Sequence, residues 1–501
     1  MTDLALRDVM NPTPLLVSPA TTITTAAAAM AAQGVGSAVI TQNGTVIGIV
    51  TERDLARATA AGVDPVVTPV TAWMTASPVT VSVSTEITRV LDEMLERNFR
   101  HVPVLDNGVL VGVVSLRRLT GAARLRRVDP WSPSTAKGLE NITVAETVLS
   151  HIDGTAGRLV YRGYDAVDLA RGATFEDVWA LLQRDVARAD ATFLADARAA
   201  RALPLLPDTL RGLAAAPGPF MGKLQAAIAA TGAAWGVVPW HERARAESEQ
   251  LAFRLTAVLP TLVAALWRVQ HGHEPIAPDP ALDHAANFLW MLTGEPGTAE
   301  QVQALTRYLI LTAEHGMNAS TFTARVIAST GADLVSSVAG AAGALSGPLH
   351  GGAPSLVLDM LDAIGEPERA VPWVAAALAG GRRLMGFGHR VYRAEDPRAA
   401  CLRETAAALG GPRFALAQAV EAAALATLRA AKPDRALYTN VEFWSAVALE
   451  RAGLPRLLFT PTFCVARTAG WTAHVLEQIA DNRLIRPAAE YVGPTGRRLE
   501  A

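Results

Sequence analysis

Residues 314–322 read Glu-His-Gly-Met-Asn-Ala-Ser-Thr-Phe, and the segment in front of them indicates which fold surrounds this polar stretch. Thr298 and Gln301 have the spacing of a capping box, in which two side chains satisfy free N–H groups at the start of a helix. Apolar residues then recur on one face of that helix: Val302, Leu305 and Leu309. The helix delivers His315 near its C-terminal end, where Gly316 can stop it. We therefore predict that a helical scaffold presents His315.

The same helical character extends over most of the chain. From residue 138 onward, alanine- and leucine-rich amphipathic stretches dominate, and strand-like alternation is confined to a short region near residues 159–161. Before residue 122 the pattern is different, because short apolar strands alternate with helical stretches. We predict a multidomain α+β protein in which an N-terminal α/β part precedes a mostly α-helical catalytic part.

Three further polar stretches interrupt the apolar background, at residues 347–352, 386–390 and 438–443. A single histidine is more often a satisfied core residue than a ligand. His350 and His389, however, each lie among glycines, where the backbone can approach a ligand closely. Asp396-Pro397-Arg398 places a guanidinium close to the second of these loops, and arginine binds carboxylates through paired hydrogen bonds. Together these residues indicate an anion-binding site.

Composition limits the possible classes of protein. Half of the 501 residues are hydrophobic and 18% are charged, so the chain can bury more than one core. The net charge is −2 without a sustained basic run, and we predict no nucleic-acid partner. The apolar run at 255–267 contains Pro260 and is too short to span a membrane. We predict no signal peptide and no metal site, and we expect Cys401 and Cys464 to be buried thiols of a cytoplasmic protein.

The first 120 residues contain an internal repeat. Met10 is echoed by Met74, and Gly44 by Gly108, with an offset of 64 residues in both pairs. Each copy has a helical stretch (25–33 and 89–97) and a later strand (46–50 and 110–114), which follows an Asn-Gly pair. Asn-Gly between β-branched runs predicts a hairpin, because both residues tolerate positive φ. Since one copy cannot bury its own sheet, the two copies should pack on each other around a shared cleft.

Over residues 5–122 the repeat resembles a tandem pair of CBS domains. In that family the strand-to-helix corner reads G-x-x-[TS]-x-x-[DN] and holds the phosphate and ribose of an adenine nucleotide. The first copy has Gly48, Thr51 and Asp54, whereas the second has Ser115 with Arg118 in place of the acid. The resemblance implies at most one good ribose site, at Asp54, with Thr51 and Ser115 as further nucleotide ligands. The alternative is that Thr51 only caps a helix and that the pair serves dimer packing.

These patterns divide the chain into three parts. The CBS pair covers residues 1–122, with repeats at about 5–62 and 69–122. A proline-rich linker follows at 123–137, and the catalytic part extends over 138–501.

The motifs of the catalytic part are similar to those of the citrate synthase family, and in particular its 2-methylcitrate-synthase-like branch. In chain order they are G-L-E-N-I…Y-R-G-Y (138–164), E-H-G-M-N-A-S-T-F (314–322), G-P-L-H-G-G-A (347–353), M-G-F-G-H-R-V-Y…D-P-R (385–398), N-V-E-F (440–443) and R…G-W…R-P…Y-V-G (467–493). The match follows the family's order over 138–493. It implies a helical fold with a large and a small subdomain.

The resemblance also implies roles for individual residues. His350, His389 and Glu442 match the catalytic positions, although most of the family has aspartate where Glu442 stands. The expected oxaloacetate ligands are His315, Asn318, Arg398, Arg467 and Arg486. In relatives the last arginine comes from the other subunit, which implies a homodimer or a larger assembly. The expected CoA-binding residues are Arg382, Arg383, Gly386, Phe387, Gly388, Lys432 and Arg435.

The implied reaction needs no cofactor. Glu442 would take a proton from the acyl-CoA methyl group, while neutral His350 donates a hydrogen bond to the thioester oxygen; such donors are worth roughly 3–4 kcal/mol each. His389 would polarise the ketone of oxaloacetate and protonate the new alkoxide, and hydrolysis would release citrate and CoA.

Departures from the family's motifs leave the substrate open. Pro354 stands where many relatives have asparagine, residues 218–221 replace a His-Pro-Met signature, and 184–250 match poorly. Acetyl-CoA and propionyl-CoA differ by one methylene, a difference worth about 1–3 kcal/mol in a pocket. The alternatives are therefore a citrate synthase, a 2-methylcitrate synthase, or a weakly active nucleotide-sensing regulatory homologue.

Overall fold

The computed structural model describes residues 6–86, 89–90, 93–94, 97, 99–116, 118–119, 142–351, 353–389, 391–431, 437–489, 491 and 493. The chain forms two compact units. The N-terminal unit comprises residues 1–144 with 488–501, and the helical unit comprises residues 145–487. The predicted linker at 123–137 lies outside the described residues.

The N-terminal unit contains two small sheets with flanking helices. Its strands are β1 (Leu16–Val17), β2 (Ser37–Gln42), β3 (Thr45–Thr51), β4 (Thr75–Ala76), β5 (Val81–Ser82), β6 (His101–Asp106) and β7 (Val109–Ser115). Its helices are α1 (Leu6–Val9), α2 (Ile23–Gln33), α3 (Glu52–Ala60) and the 3-10 turn Val70–Ala72. The first sheet has the order β1-β2-β3-β4 and the second β5-β6-β7, and in each sheet the first pair is parallel and the other pairs are antiparallel.

Both predicted hairpins are confirmed. Asn43 and Gly44 have φ of 50° and 79°, and Asn107 and Gly108 have 49° and 82°, so the same left-handed turn joins β2 to β3 and β6 to β7. The predicted helix at 25–33 is confirmed within α2. Of the second predicted helix, residues 89–90 and 93–94 are helical, and most of the others lie outside the described residues.

The two repeats exchange their leading segments. Leu6 and Val9 of α1 pack with the core of the second repeat, and Asn11 forms a bridge with Val113. Conversely, β4, which precedes the second repeat, pairs with β3 of the first. A Cβ at Gly112 would lie 2.7 Å from the Asn11 carbonyl oxygen, so glycine is needed there. The repeats therefore pack on each other, as predicted.

The helical unit begins with a three-stranded antiparallel sheet of order β10-β9-β8: β8 (Ser150–Asp153), β9 (Arg158–Tyr161) and β10 (Tyr164–Asp165). The strand predicted near 159–161 is therefore confirmed. The helices are α4 (Ala166–Gly172), α5 (Phe175–Arg184), α6 (Ala191–Ala199), α7 (Pro207–Ala215), α8 (Phe220–Ala234), α9 (Arg245–Gln270), α10 (His284–Thr293), α11 (Ala299–Thr312), α12 (Ala319–Ser329), α13 (Leu334–Leu345), α14 (Ala353–Ile364), α15 (Ala370–Ala379), α16 (Pro397–Leu409), α17 (Pro412–Ala431), α18 (Val441–Arg451) and α19 (Phe459–Ala480), with 3-10 turns at Trp240–Glu242, Pro367–Arg369 and Arg456–Leu458.

The capping box at the start of α11 is confirmed. Thr298 accepts a hydrogen bond from the Gln301 backbone N–H, and the Gln301 side chain accepts one from the Thr298 N–H. The helix ends at Thr312, and Gly316 adopts a positive φ of 57° just beyond it. His315 therefore lies in the turn between α11 and α12. Helix α19 packs against α9, α11 and α12, and it is buried along most of its length.

Among the described residues, two helices, α9 and α17, are long and apolar enough to cross a membrane by length and composition. In α9 the chain continues as a helix through Pro260, and 83% of its most apolar window is buried within the protein. In α17 the corresponding share is 39%, but Glu421 on this helix is buried and accepts a hydrogen bond from Trp444. Core helices of a globular fold satisfy the same criterion, and packing accounts for the apolar residues of α9.

Candidate active site

Two predicted histidines and one predicted arginine surround Tyr392. His315 Nε2 lies 3.2 Å from the Tyr392 hydroxyl oxygen, and the His315 and His389 ring centroids are 5.5 Å apart. The His389 ring centroid is 4.7 Å from that of Tyr392, and the Arg398 guanidinium carbon is 5.7 Å from it. Tyr392 is almost completely buried. Tyr392 is not among the predicted site residues.

His350 lies in a second cluster, at the first turn of α12. Ser320 Oγ is 2.8 Å from His350 Nε2, and it also accepts a hydrogen bond from Trp471 Nε1 and donates one to Asn318 Oδ1. The His350 ring centroid is 6.2 Å from that of Phe463. Neither Ser320 nor Trp471 was predicted to lie in the site, because the contacts of Ser320 with His350 and of Trp471 with Ser320 join residues far apart in sequence.

Asn440 connects the segment that carries Glu442 to the His389 loop. Its side-chain oxygen accepts a hydrogen bond from the Glu442 N–H and caps α18. Its side-chain amide donates to the Gly388 carbonyl, and its own N–H donates to the Gly386 carbonyl, both at 2.9 Å. The same hydrogen bonds therefore position the Glu442 backbone and the loop in front of His389.

Asp396 holds Arg398 in place. Its carboxylate accepts hydrogen bonds from Arg398 Nε (3.0 Å) and Nη2 (2.9 Å), in the paired arrangement that guanidinium and carboxylate favour. It also accepts the Arg398 N–H, which caps α16, and the Val441 N–H, which lies next to Glu442. Both residues are buried. The aspartate thus connects the predicted oxaloacetate ligand Arg398 to the start of α18.

Arg467 is buried on α19 beside the His350 cluster. Its guanidinium carbon lies 4.8 Å from the Phe463 ring centroid, and its Nε donates to the Thr312 carbonyl at 2.7 Å. Within the described part of the chain, neither of its Nη groups has a hydrogen-bond partner. A buried guanidinium with free donors is suited to bind an anionic ligand.

Burial and the arginines set the charge states of the histidines. Burial lowers the pKa of His350 to about 4, and the charge of Arg467 adds to this. Burial, followed by the charge of Arg398, lowers the pKa of His389 to about 4, although Asp396 opposes the shift. The pKa of His315 is also well below the usual range, mainly through burial. All three imidazoles are therefore neutral at pH 7.

The Glu442 carboxyl group shows the opposite shift. Burial raises its pKa to about 7, the charges of Arg398 and Arg467 lower it, and Asp396 raises it further. Glu442 is thus electrostatically coupled to both predicted oxaloacetate arginines, one from each cluster. A carboxyl group that titrates near neutral pH is suited to general-base catalysis.

Five of the seven predicted CoA residues lie in the described part of the chain, where they occupy different environments. Gly386 and Phe387 are buried; a Cβ at Gly386 would contact Phe443, which explains why glycine is needed there. Gly388 has a φ of 83°, and Arg382 and Arg383 are exposed, with the Arg382 guanidinium carbon 5.5 Å from the Trp373 ring centroid. Lys432 and Arg435 lie outside the described residues. The CoA-phosphate assignment stays a prediction.

Two other predicted oxaloacetate ligands occupy different environments. Asn318 caps α12 by accepting a hydrogen bond from the Thr321 N–H, and its Nδ2 contacts the His315 and Gly316 carbonyls. Its local role is therefore to hold the His315 turn. Arg486 is exposed beyond the end of α19.

In the N-terminal unit, Asp54 and Thr51 contact each other. The Thr51 N–H and hydroxyl both donate to Asp54 Oδ2, at 3.0 and 2.7 Å, and Arg57 donates to Asp54 Oδ1. Together Thr51 and Asp54 form the capping box of α3. In the second repeat, Ser115 accepts from the Arg118 N–H, and Arg118 reaches the Met10 carbonyl. The capping alternative is thus present in the geometry, and nucleotide binding at these residues stays a prediction.

Among the residues that the structure describes, no three histidine, cysteine, aspartate or glutamate side chains lie close enough together to hold a metal ion.

Comparison with known proteins identifies both parts of the chain. Residues 138–488 match the family model described as citrate synthase, C-terminal domain, and residues 6–61 and 70–124 match the CBS domain. Citrate synthase from Haloferax volcanii is 41% identical over 369 residues, which cover 71% of this chain and 95% of that protein. 2-Methylcitrate synthase from Mycobacterium tuberculosis is 38% identical over 382 residues, which cover 73% and 93%.

A solved structure agrees with this assignment. The ternary complex of carboxymethyl coenzyme A and oxaloacetate with citrate synthase from Thermoplasma acidophilum aligns with a TM-score of 0.68 at 28% identity, over 74% of this chain and 99% of that chain. A family model that covers most of the chain, with relatives that match over nearly their whole length, shows that this chain belongs to the citrate synthase family and carries two CBS domains ahead of its citrate synthase domain.

Proposed function

We propose that this chain condenses acetyl-CoA with oxaloacetate in a Claisen-type reaction and releases citrate and CoA. The observation that carries the proposal is the position of Glu442 at the start of α18, where Asp396 binds both the neighbouring Val441 N–H and the Arg398 guanidinium. Burial raises the pKa of the Glu442 carboxyl group to about 7, and the charges of Arg398 and Arg467 lower it. The site therefore combines a carboxylate base that titrates near neutral pH with two cations suited to a dicarboxylate. The citrate synthase relatives support the same reaction.

In this mechanism Glu442 removes a proton from the methyl carbon of the thioester. The electron pair of the broken C–H bond then forms the new C–C bond to the ketone carbon of oxaloacetate. His389 Nδ1 accepts hydrogen bonds from the backbone N–H groups of Val391 and Tyr392, at 3.0 and 3.1 Å. Its proton therefore lies on Nε2, which donates to the ketone oxygen as negative charge develops. His389 then gives this proton to the new alkoxide. Water adds to the thioester carbonyl and the C–S bond breaks; one proton of the water goes to the CoA sulfur and the other to solvent, so that citrate and CoA are released.

Ser320 decides which nitrogen of His350 carries the proton. A hydroxyl has one proton, so Ser320 donates either to Asn318 Oδ1 or to His350 Nε2. When it donates to Asn318, His350 must supply its Nε2 proton to Ser320, and Nδ1 is a bare acceptor. When it donates to His350, the imidazole proton lies on Nδ1. In the structure Ser320 donates to Asn318 Oδ1, so stabilisation of an enolate by Nδ1–H requires the Ser320 hydroxyl to turn from Asn318 to His350 Nε2.

Oxaloacetate is a dianion, and Arg398 and Arg467 are the cations that fit it. Arg398 already pairs with Asp396, so the aspartate orients this guanidinium and offsets part of its charge. Arg467 is buried, and its two Nη groups remain available to a carboxylate. His315 and Arg486, with Asn318, complete the proposed binding set, and Arg486 is supplied by the partner subunit.

A thiol-release assay tests the proposal directly. The wild-type chain should release CoA from acetyl-CoA only when oxaloacetate is present. His350→Ala should retain the melting temperature within a few degrees and lose on the order of 10²–10³-fold in kcat, as expected for a lost oxyanion donor. His241→Ala is the matched control, because His241 is exposed near the surface turn Trp240–Glu242. Wild-type turnover in His350→Ala would refute the assigned role.

Propionyl-CoA is the second candidate substrate. The 38% identical 2-methylcitrate synthase supports it, and the two acyl groups differ by one methylene. The same assay with both thioesters gives the ratio of their kcat/KM values, and a preference of about 10–200-fold is the range that one methylene supports. A folded chain that releases CoA from neither thioester would favour the regulatory homologue.

We further propose that the CBS pair binds an adenine nucleotide near Thr51, Asp54 and Ser115, and that this binding modulates the enzyme. ATP, AMP and S-adenosylmethionine, tested separately at millimolar concentration, should include at least one that raises the melting temperature. Asp54→Ala should abolish that shift, whereas Asp64→Ala, at an exposed loop residue, should retain it. Absence of a shift with all three compounds would leave the pair with a packing role only.

We also propose that the enzyme is a cytoplasmic homodimer, and that its domains divide at 1–122, 123–137 and 138–501.

A further inference from the structure

We propose that Glu314, His474 and Arg325 form a buried positioning chain that orients His315 and balances the charge of Arg467 in the oxaloacetate site. The inference rests on the proposed function, because it concerns how that same site binds its dicarboxylate. None of these three side chains belongs to the predicted substrate-binding or catalytic set.

The Glu314 carboxylate connects the positioning chain to the oxaloacetate site. Its Oε1 accepts hydrogen bonds from His474 Nε2 and Ser150 Oγ, both at 3.0 Å, and from the Gly316 N–H. Because Gly316 follows His315, the side chain of residue 314 closes a tight loop over the backbone of His315. Tyr161 donates to the Glu314 carbonyl at 2.9 Å and holds this backbone from a second direction.

The chemistry of the donors and acceptors determines which group donates each hydrogen bond in the positioning chain. Arg325 donates to His474 Nδ1 from Nε at 3.0 Å and from Nη2 at 2.9 Å. A guanidinium has no acceptor, so Nδ1 carries the lone pair and His474 is neutral, with its proton on Nε2. That proton is donated to Glu314. Arg325 in turn binds Glu477 and Gln478, and the order is guanidinium, imidazole, carboxylate.

Arg467 and Glu314 lie close together: Arg467 Nε donates to the carbonyl of Thr312, two residues before Glu314, and Glu314 Oε2 would lie 2.5 Å from a Cβ built at Gly470, one turn after Arg467. Glu314 and His474 are completely buried, and Arg467 has no carboxylate partner within the described residues. Burial alone would raise the pKa of Glu314, but the hydrogen bond from neutral His474, the charge of Arg467 and the hydrogen bond from Ser150 lower it, so the carboxylate stays ionised. Conversely, burial lowers the pKa of Arg467, and the charge of Glu314 is the largest influence that opposes this shift. The pair keeps a buried cation ready for a substrate carboxylate.

A purely structural ion-pair network would be an alternative, since buried charges often contribute little to stability. The two roles differ in what they predict for kinetics. A structural network affects folding and all kinetic constants together. A positioning chain affects the binding of oxaloacetate and leaves the acyl-CoA side of the reaction nearly unchanged.

The test compares three variants of the full-length chain. Glu314→Gln keeps the shape of the side chain and removes its negative charge. His474→Leu interrupts the hydrogen bonds of the positioning chain, and His474→Gln restores a donor and an acceptor on one side chain. We expect Glu314→Gln and His474→Leu to raise the KM for oxaloacetate about tenfold or more, as for the loss of a charged hydrogen bond. The KM for acetyl-CoA should change less than about twofold, and His474→Gln should recover part of the loss.

Glu300→Gln, at an exposed position in the first turn of α11, is the matched control and should behave as wild type. An unchanged KM for oxaloacetate in folded Glu314→Gln overturns the inference. Should that variant not fold, the two His474 variants decide, and equal KM values for both would also overturn it. A wild-type chain that neither condenses nor binds oxaloacetate refutes the proposed function, and the inference falls with it.

Discussion

Glu442 is the general base of the proposed reaction. Because its pKa is about 7, the reaction rate should depend on pH near neutrality. The carboxyl group must be ionised to take a proton, so kcat/KM should rise with pH and level off above a midpoint near 7. His350 and His389, with pKa values of about 4, stay neutral above pH 5 and add no second limb there. A pH series of the thiol-release assay measures this profile.

Two variants of Glu442 measure how much general-base catalysis contributes to the rate, apart from the other groups of the site. Glu442→Gln should lose about 10²–10⁴-fold in kcat, the usual contribution of general-base catalysis, together with the rising limb. Glu442→Asp should keep a rising limb but lose roughly 10²-fold, because its carboxylate is displaced by about 1 Å. A profile that is flat between pH 5 and 9 in the wild type would contradict the assignment of Glu442.

Helix α19 depends on a close approach at Gly470, one turn after Arg467. A Cβ at this position would collide with the Ala313 carbonyl and the Glu314 carboxylate, and the first of these is backbone that cannot rotate away. Gly470→Ala should therefore destabilise the protein by about 1–3 kcal/mol and also disturb the His315 turn. Thermal melting and the KM for oxaloacetate measure the two effects.

Gly212 in α7 provides the matched control. In the part of the chain that the structure describes, no atom outside its own neighbourhood lies within 4 Å of a Cβ built there, and its φ is not positive. Gly212→Ala should leave activity unchanged and stabilise the helix by up to about 1 kcal/mol, the difference in helix propensity. Equal melting temperatures for the two alanine variants would show that the packing of α19 at Gly470 is looser than described.

If the protein is the proposed dimer, Arg486 of each subunit should act in the site of the other subunit. This residue is exposed on its own chain, which agrees with a role in the partner's site. Arg486→Ala and His350→Ala should each be nearly inactive alone. After unfolding and refolding together, about half of the dimers are mixed, and each has one site with both residues, so about a quarter of wild-type activity should return.

Mixing the variants without refolding serves as the control, because intact dimers exchange little and should recover less activity. If Arg486 acted within its own subunit, both sites of a mixed dimer would lack one residue. Failure to regain activity after refolding, with dimers present by light scattering, would thus place Arg486 in its own subunit's site or outside any site.

Much of the fold was predictable from local patterns. The Asn43-Gly44 and Asn107-Gly108 turns, the capping box at Thr298 and the helical periodicity of the catalytic part each depend on residues a few positions apart, and each is confirmed. The exchange of leading segments between the repeats was not predictable, because it pairs Asn11 with Val113 across about a hundred residues.

For the site, glycine-flanked histidines and the Asp-Pro-Arg turn were visible in the sequence, because these residue types are unusual in an apolar helical background. Tyr392 between two histidines, Ser320 against His350 and the chain from Arg325 to Glu314 were not. Their contacts join helices distant in sequence, and their pKa shifts come from burial. Neither long-range contact nor desolvation leaves a local pattern, so residue types can be recognised in advance while their partners and charge states depend on the folded chain.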